Sequence, residues 1–299
     1  MNRRQFLRTS VGATVALASL STFNRAARAI EPFKRSGLPR FKLSMCAYSW
    51  RDLLNQKVHK MDMFQFIDYC ADHGCDAAEL TSYYFPKDMD QAWMANFKRH
   101  MHLRRISASG VAVGNDFTVP DDKMPEQIAL AKKWIDHAEF FGAPYVRVFA
   151  GMSKQSDPKA ATERCIAALK QCCEYSGKKG IFLGLENHHG IVAEPEQILH
   201  ILDAVNSPWL GINCDTANFQ TIDPYVDLEK IAPYAVNVHF KGEIHPKGNE
   251  HPGIPADLPR LMKILRDANY QGYLALEYES KEAPATGIPK LLTRMRELM

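Results

Sequence analysis

Four short segments of this 299-residue chain end in side chains that bind cations or move protons: Leu183-Gly184-Leu185-Glu186, Ile212-Asn213-Cys214-Asp215, Val236-Asn237-Val238-His239 and Leu274-Ala275-Leu276-Glu277. Three carboxylates brought close together repel one another and raise each other's pKa unless a cation neutralises them. Three oxygen donors with one imidazole suit Mn2+, Mg2+, Co2+ or Fe2+, and Zn2+ is also accommodated; no thiolate site is indicated. Taken singly, each carboxylate reads first as a strand-end group held by a salt bridge. Their common phase sets the four apart.

Side chains on a strand alternate between its two faces. Leu183 and Leu185 point one way, Gly184 and Glu186 the other. Ile212 and Cys214 alternate with Gly211, Asn213 and Asp215; Val236, Val238 and Phe240 with Asn237, His239 and Lys241; Leu274 and Leu276 with Ala275 and Glu277. One face is greasy and the other small or polar. In a barrel the greasy face meets the surrounding helices, while the other lines the interior and turns polar toward the carboxyl ends of the strands, where active sites lie. This reading sets Glu186, Asp215, His239 and Glu277 at corresponding levels on four successive strands, converging at the mouth.

The elements that must position them follow from the rest of the pattern. Beyond Ile30, short apolar runs alternate with amphipathic stretches, with no linker or composition break. The runs predict strands at Lys42–Ala47, Ala77–Leu80, Arg105–Ser109, Tyr145–Phe149, Ile181–Glu186, Gly211–Asp215, Ala235–Lys241 and Tyr273–Glu277. Helical periodicity falls between them, at Met61–His73, Asp90–His102, Pro125–Phe141, Pro158–Lys179, Glu194–Ala204 and Ala256–Ala268. Eight such units predict one α/β domain over residues 30–299, a (β/α)8 TIM barrel. A doubly wound open sheet would announce itself by a glycine-rich phosphate loop after its first strand, and here that place reads Met45-Cys46-Ala47-Tyr48-Ser49-Trp50.

Over residues 40–298 the sequence resembles the sugar phosphate isomerase/epimerase group of the xylose isomerase-like TIM barrels, a superfamily that also includes endonuclease IV. The marks are Leu185-Glu186-Asn187-His188, Asn213-Cys214-Asp215-Thr216, Val238-His239-Phe240-Lys241 and Leu276-Glu277-Tyr278-Glu279. The resemblance implies one divalent ion, Mn2+ favoured, held by Glu186, Asp215, His239 and Glu277. It also implies that Glu186 and Glu277 move the substrate proton. Many relatives carry a histidine three residues after the aspartate where this chain has Asn218, a departure at a familiar substrate contact.

Lys241 falls two residues after His239, on the same face, and reads either as an ammonium that steadies an enolate oxygen or as a rim salt bridge. Glu79 faces inward beside Ala77, either toward a substrate hydroxyl or in a structural pair. His188 reads as an orienting or acid/base group, or as a hydrogen-bond support for the centre. Trp50, Tyr83, Tyr84, Phe85 and Phe117 follow early strands, where aromatics stack on sugars or simply pack. Asn115-Asp116-Phe117 after the third strand is also within reach of a substrate.

Residues 1–29 read as a twin-arginine export signal: Arg3-Arg4-Gln5-Phe6-Leu7, a weakly apolar run from Val11 to Leu20, and Ala27-Arg28-Ala29 as cleavage site. The expected location is periplasmic, with no membrane association after cleavage. The formal charge of +3 includes five arginines in that segment; without them 32 basic residues face 34 acidic ones. A mature chain so balanced lacks the basic excess that nucleic acid requires, which argues against an endonuclease IV-like repair enzyme. The seven cysteines form no CxxC pair, and a chain of this size needs no disulfide. The expected partner is a small carbohydrate, with a homo-oligomer left open. The leading expectation is a metal-dependent isomerase or epimerase of a keto-sugar. The alternatives are a 3-keto-glycoside lyase or dehydratase running through the same enolate, and a sugar-binding protein without catalysis.

Overall fold

The computed structural model of the protein describes residues 31–299 except 56, 59 and 152–156; the expected export signal lies outside them. Eight parallel strands close a barrel: β1 (Arg40–Cys46), β2 (Ala77–Thr81), β3 (Ser107–Ala112), β4 (Tyr145–Val148), β5 (Phe182–Glu186), β6 (Leu210–Asp215), β7 (Ala235–Phe240) and β10 (Gln271–Leu276), the last hydrogen-bonded to both β7 and β1. Between β7 and β10 a two-stranded hairpin, β8 (Glu243–Ile244) and β9 (Ile254–Pro255), stands apart from the barrel sheet. The (β/α)8 architecture read from the sequence is the one the chain adopts.

Helices cover the outside. Aspartates begin several of them: Asp62 and Asp90 accept from the backbone amides of Gln65 and Trp93, and Asp157, Asp223 and Asp257 do the same for their helices. Proline stands in the first turn of the helices at Pro158–Gly177, Pro195–Val205, Pro224–Ile231, Leu258–Asp267 and Pro284–Leu298, where its missing N–H costs nothing. The helix Pro158–Gly177 turns Cys165, Cys172 and Cys173 to the sheet as small apolar groups, and all seven cysteines are buried free thiols. No described helix is long and apolar enough to cross a membrane.

The expected strand boundaries agree within a few residues except at β3, which runs later than Arg105–Ser109. Arg105 sits at φ 59°, a turn conformation, and the strand continues through Gly110 to Ala112. Gly110 is required there because a Cβ would lie 2.0 Å from the Tyr145 ring, which crosses the barrel interior at that point.

Candidate metal centre

Glu186 and Asp215 are the last residues of β5 and β6, His239 is the penultimate residue of β7, and Glu277 follows β10 directly. They do not share one register level. Asp215 pairs with His239, but Glu186 pairs with Asn213, and Glu277 lies two residues beyond Ala275, the partner of His239. The strands of a closed barrel are tilted and staggered, so side chains that converge come from different rungs.

They do converge. The Nδ1 of His239 is 3.4 Å from Glu277 Oε2, 3.5 Å from Glu186 Oε2 and 3.9 Å from Asp215 Oδ2. Ligand atoms of Glu186, Asp215 and His239 all lie within 4.8 Å of one another. Asp215 and His239 are fully buried, and Glu186 and Glu277 nearly so. The Oδ1 of Asp215 accepts from the amides of Ala217 and Asn218 at 2.8 and 3.1 Å, which turns Oδ2 toward the others. Both that Oδ2 and His239 Nδ1 lack a hydrogen-bond partner. Lys241 Nζ is 3.0 Å from Oδ2, within ion-pair range but not aligned to donate. A buried polar atom left open costs about 1–3 kcal/mol. Two such atoms aimed at one point, beside two further carboxylates, fit a divalent cation.

The electrostatics agree. Burial, with the negative charges of Asp215 and Glu277, pushes Glu186 up to about 7 against the pull of Arg147 and His239. Burial also raises Asp215, although Lys241 opposes it. Glu277 moves the other way: burial would raise it, but Lys241, His239 and Arg147 together hold it well below the usual carboxylate range. Lys241 is buried, 3.0 Å from Glu277 Oε2 and 2.5 Å from Glu279 Oε2. Of its two readings the ion pair is present, while the ammonium still lines the open cavity above.

That cavity has a volume of about 410 Å3. Glu186, Glu277, Lys241 and Arg147 line it together with His188 and Asn218, and Tyr48, Tyr83 and Phe149 add aromatic wall. Asn218 donates to Glu186 Oε1 at 3.2 Å. His188 packs edge-on against Phe149, and burial, helped by His189, Lys241 and Arg147, lowers it to about 3. It is therefore a neutral imidazole at ordinary pH, able to orient a ligand but not to deliver a proton as an imidazolium.

Three expected substrate contacts lie elsewhere. Trp50 is buried against Tyr69, with ring centroids 4.8 Å apart, and does not line the cavity. Asn115 is consumed by the backbone of Phe149, donating to its carbonyl at 2.8 Å and accepting its N–H at 3.0 Å. The same clip recurs between Asn187 and the backbone of Asp215. Glu79 is fully buried, and the structural pair is what forms: His239 Nε2 lies 2.8 and 3.0 Å from its two oxygens. Tyr145 Oη, Asn237 Nδ2 and Cys46 Sγ also donate to it. Of the aromatics, Tyr83 reaches the cavity; Phe85 joins a cluster with Trp93, Phe97 and Trp134, and Phe117 is buried.

Arg147 is a cavity-lining residue that the pattern reading passes over. Its Nε is 3.1 Å from Glu186 Oε2, its Nη1 donates to Val113 O at 3.1 Å, and its guanidinium lies 3.8 Å from the Phe149 ring centroid. The signal was available, because Tyr145, Arg147 and Phe149 alternate with Val146 and Val148 in the same way as the later strands.

Residues 67–298 match the family described as xylose isomerase-like TIM barrel. No curated protein matches the chain by sequence. Among solved structures, a D-allulose 3-epimerase from Methylomonas sp. in complex with D-allulose is similar at TM-score 0.65 and 18% identity, over 87% of this chain and 92% of that one. A xylose isomerase-like TIM barrel protein from Mycobacterium smegmatis in complex with magnesium gives 0.68 and 13%, over 86% and 96%. The probable 3-DHS dehydratase of petrobactin synthesis from Bacillus anthracis gives 0.64 and 15%, over 86% and 98%. At such identities the likeness is one of fold.

Proposed function

Since the chain belongs to the xylose isomerase-like TIM barrel family, we propose that it is a metal-dependent isomerase or epimerase acting on a keto-sugar. The observation that carries this reading is the pair of open buried atoms, His239 Nδ1 and Asp215 Oδ2, converging with Glu186 and Glu277 beneath the cavity. A bound divalent ion, Mn2+ in preference to Co2+, Mg2+, Fe2+ or Zn2+, would polarise a substrate carbonyl and its neighbouring hydroxyl. Glu186 and Glu277 are the proton carriers of the reading. Burial raises Glu186 to about 7 when no cation is bound; a divalent ion would draw it back down, so that Glu186 would serve as an ionised base. Glu277, held ionised, serves on the other side of the exchange. Return of the proton to the neighbouring carbon isomerises the sugar; return to the opposite face epimerises it. Asn218 and His188 orient hydroxyls, and Lys241 steadies negative charge developing on the substrate oxygen.

A second reading, a 3-keto-glycoside lyase or dehydratase, uses the same proton abstraction followed by loss of a β leaving group, and the dehydratase among the fold neighbours favours keeping it. Export is part of the proposal, on the strength of Arg3-Arg4 and Ala27-Arg28-Ala29. Neither nucleic acid nor a membrane enters it as a partner.

The test is incubation of metal-loaded protein with free ketoses and 3-keto-glycosides in D2O, read by NMR. Deuterium beside the carbonyl is expected, and release of an aglycone would select the lyase. Glu186→Gln and Glu277→Gln should each slow the exchange by about 10². Exchange at wild-type rates in both variants would remove them as carriers. For the export signal, Arg3→Lys/Arg4→Lys should leave the precursor in the cytoplasm; normal processing after Ala29 would point to a general secretory route.

A further inference from the structure

A single buried chain of hydrogen bonds joins two of the four candidate ligands from behind. Glu79 is fully buried, and its oxygens are met by four donors or potential donors: His239 Nε2, Tyr145 Oη, Asn237 Nδ2 and Cys46 Sγ. His239 Nε2 is the ring nitrogen that meets Glu79, so Nδ1, the open atom facing Glu186, Asp215 and Glu277, is the one a metal ion would take. Asn237 Nδ2, besides reaching Glu79 at 3.2 Å, donates to Asn213 Oδ1 at 2.7 Å, and Asn213 Nδ2 donates to Glu186 Oε2 at 2.9 Å. His239, Glu79, Asn237, Asn213 and Glu186 thus form one continuous path through the barrel interior, every member buried.

We propose that Glu79 is the positioning residue of the metal centre: it fixes the aim of the His239 ring and, through Asn237 and Asn213, ties it to the orientation of Glu186. The proposal rests on the reading of the four residues as a metal site. Glu79 meets the imidazole at Nε2, opposite the nitrogen that faces Glu186, Asp215 and Glu277, and so supports that site from behind. Its effect falls on affinity, because an imidazole held by a carboxylate is a stronger and better-aimed donor. A weaker supporting group would leave the ring free to turn.

The experiment measures Mn2+ affinity of the full chain by competition with a chelator, alongside the melting temperature of the metal-free protein. Glu79→Gln should weaken Mn2+ binding about 10–100-fold. Tyr145→Phe removes a hydrogen bond to the same carboxylate without touching His239. It should lower the melting temperature and leave the affinity little changed. A metal affinity unchanged in Glu79→Gln, or falling in both variants in proportion to lost stability, would overturn the proposal. A second measurement does not depend on any variant folding: 15N NMR of the Mg2+-loaded wild type should find the His239 proton on Nε2, and a proton on Nδ1 would overturn it equally. Wild-type protein that binds no Mn2+ would bring down the metal reading and this proposal together, whereas wild-type binding with an unshifted Glu79→Gln overturns this proposal alone.

Discussion

The barrel interior holds two layers of polar side chains that look alike in composition and differ in what is left open. In the lower layer Glu79 is met by His239, Tyr145, Asn237 and Cys46. In the upper layer Asp215 Oδ2 and His239 Nδ1 have no hydrogen-bond partner, and three carboxylates crowd one imidazole nitrogen. Both layers leave an atom open, but in the lower one it is the neutral amide oxygen of Asn237, whereas in the upper one it is a carboxylate oxygen and an imidazole nitrogen, which are expensive to bury unless something completes them. The contrast separates support from function among residues of the same chemical type.

The contrast can be broken most sharply at the open layer. Asp215→Ala removes an oxygen donor that nothing else replaces, and Mn2+ affinity should fall by about 10³ or more, well beyond the 10–100-fold usual for a supporting residue. Elemental analysis of protein purified without chelator checks it, and full metal occupancy in the variant would take Asp215 out of the site. Gly110→Ala attacks the closed layer instead. Its methyl would collide with the Tyr145 ring, and the cost should be about 3 kcal/mol of stability, the upper end for overpacking, read by denaturant unfolding. Asn115→Ala leaves the Phe149 backbone amide and carbonyl unpaired and should cost about 1–3 kcal/mol, with kcat/KM on the eventual substrate unchanged. A selective rise in KM would restore Asn115 to the substrate. Trp50→Phe should do least: the edge contact with Tyr69 is retained in kind, and a loss within about 1.5 kcal/mol is expected. Loss of turnover in that variant would mean that Trp50 reaches further than the cavity wall.

Much of this is legible in the sequence. The two-residue alternation in the last four strands identifies Glu186, Asp215, His239 and Glu277 as interior groups, and the three carboxylates gather around His239 Nδ1. Applied to the fourth strand, it would also have found Arg147. Lys241, His188 and Asn218 line the cavity as expected. Trp50 and Asn115 both stand just after strands, where a loop residue can either face the opening or turn back on the protein, and in the structure both turn back. An asparagine's amide matches a peptide N–H and C=O equally well.

The sequence by itself determined which side chains face inward, because that alternation is a property of the local backbone and needs no partner strand. It also determined the class of the fold, since repeated strand and helix patterns of this length have few ways to bury their apolar faces. Tertiary structure alone decided depth and partnership. Glu79 and Glu186 are both inward-facing carboxylates, one at the middle of β2 and one at the end of β5, and this placement together with barrel stagger buries Glu79 behind His239 and leaves Glu186 at the cavity floor. That difference depends on strand tilt, on the irregular register at Ala78/Glu79 and Ile212/Asn213, and on a glycine that lets one tyrosine cross. These are relations between strands distant in the chain, and no local pattern encodes them.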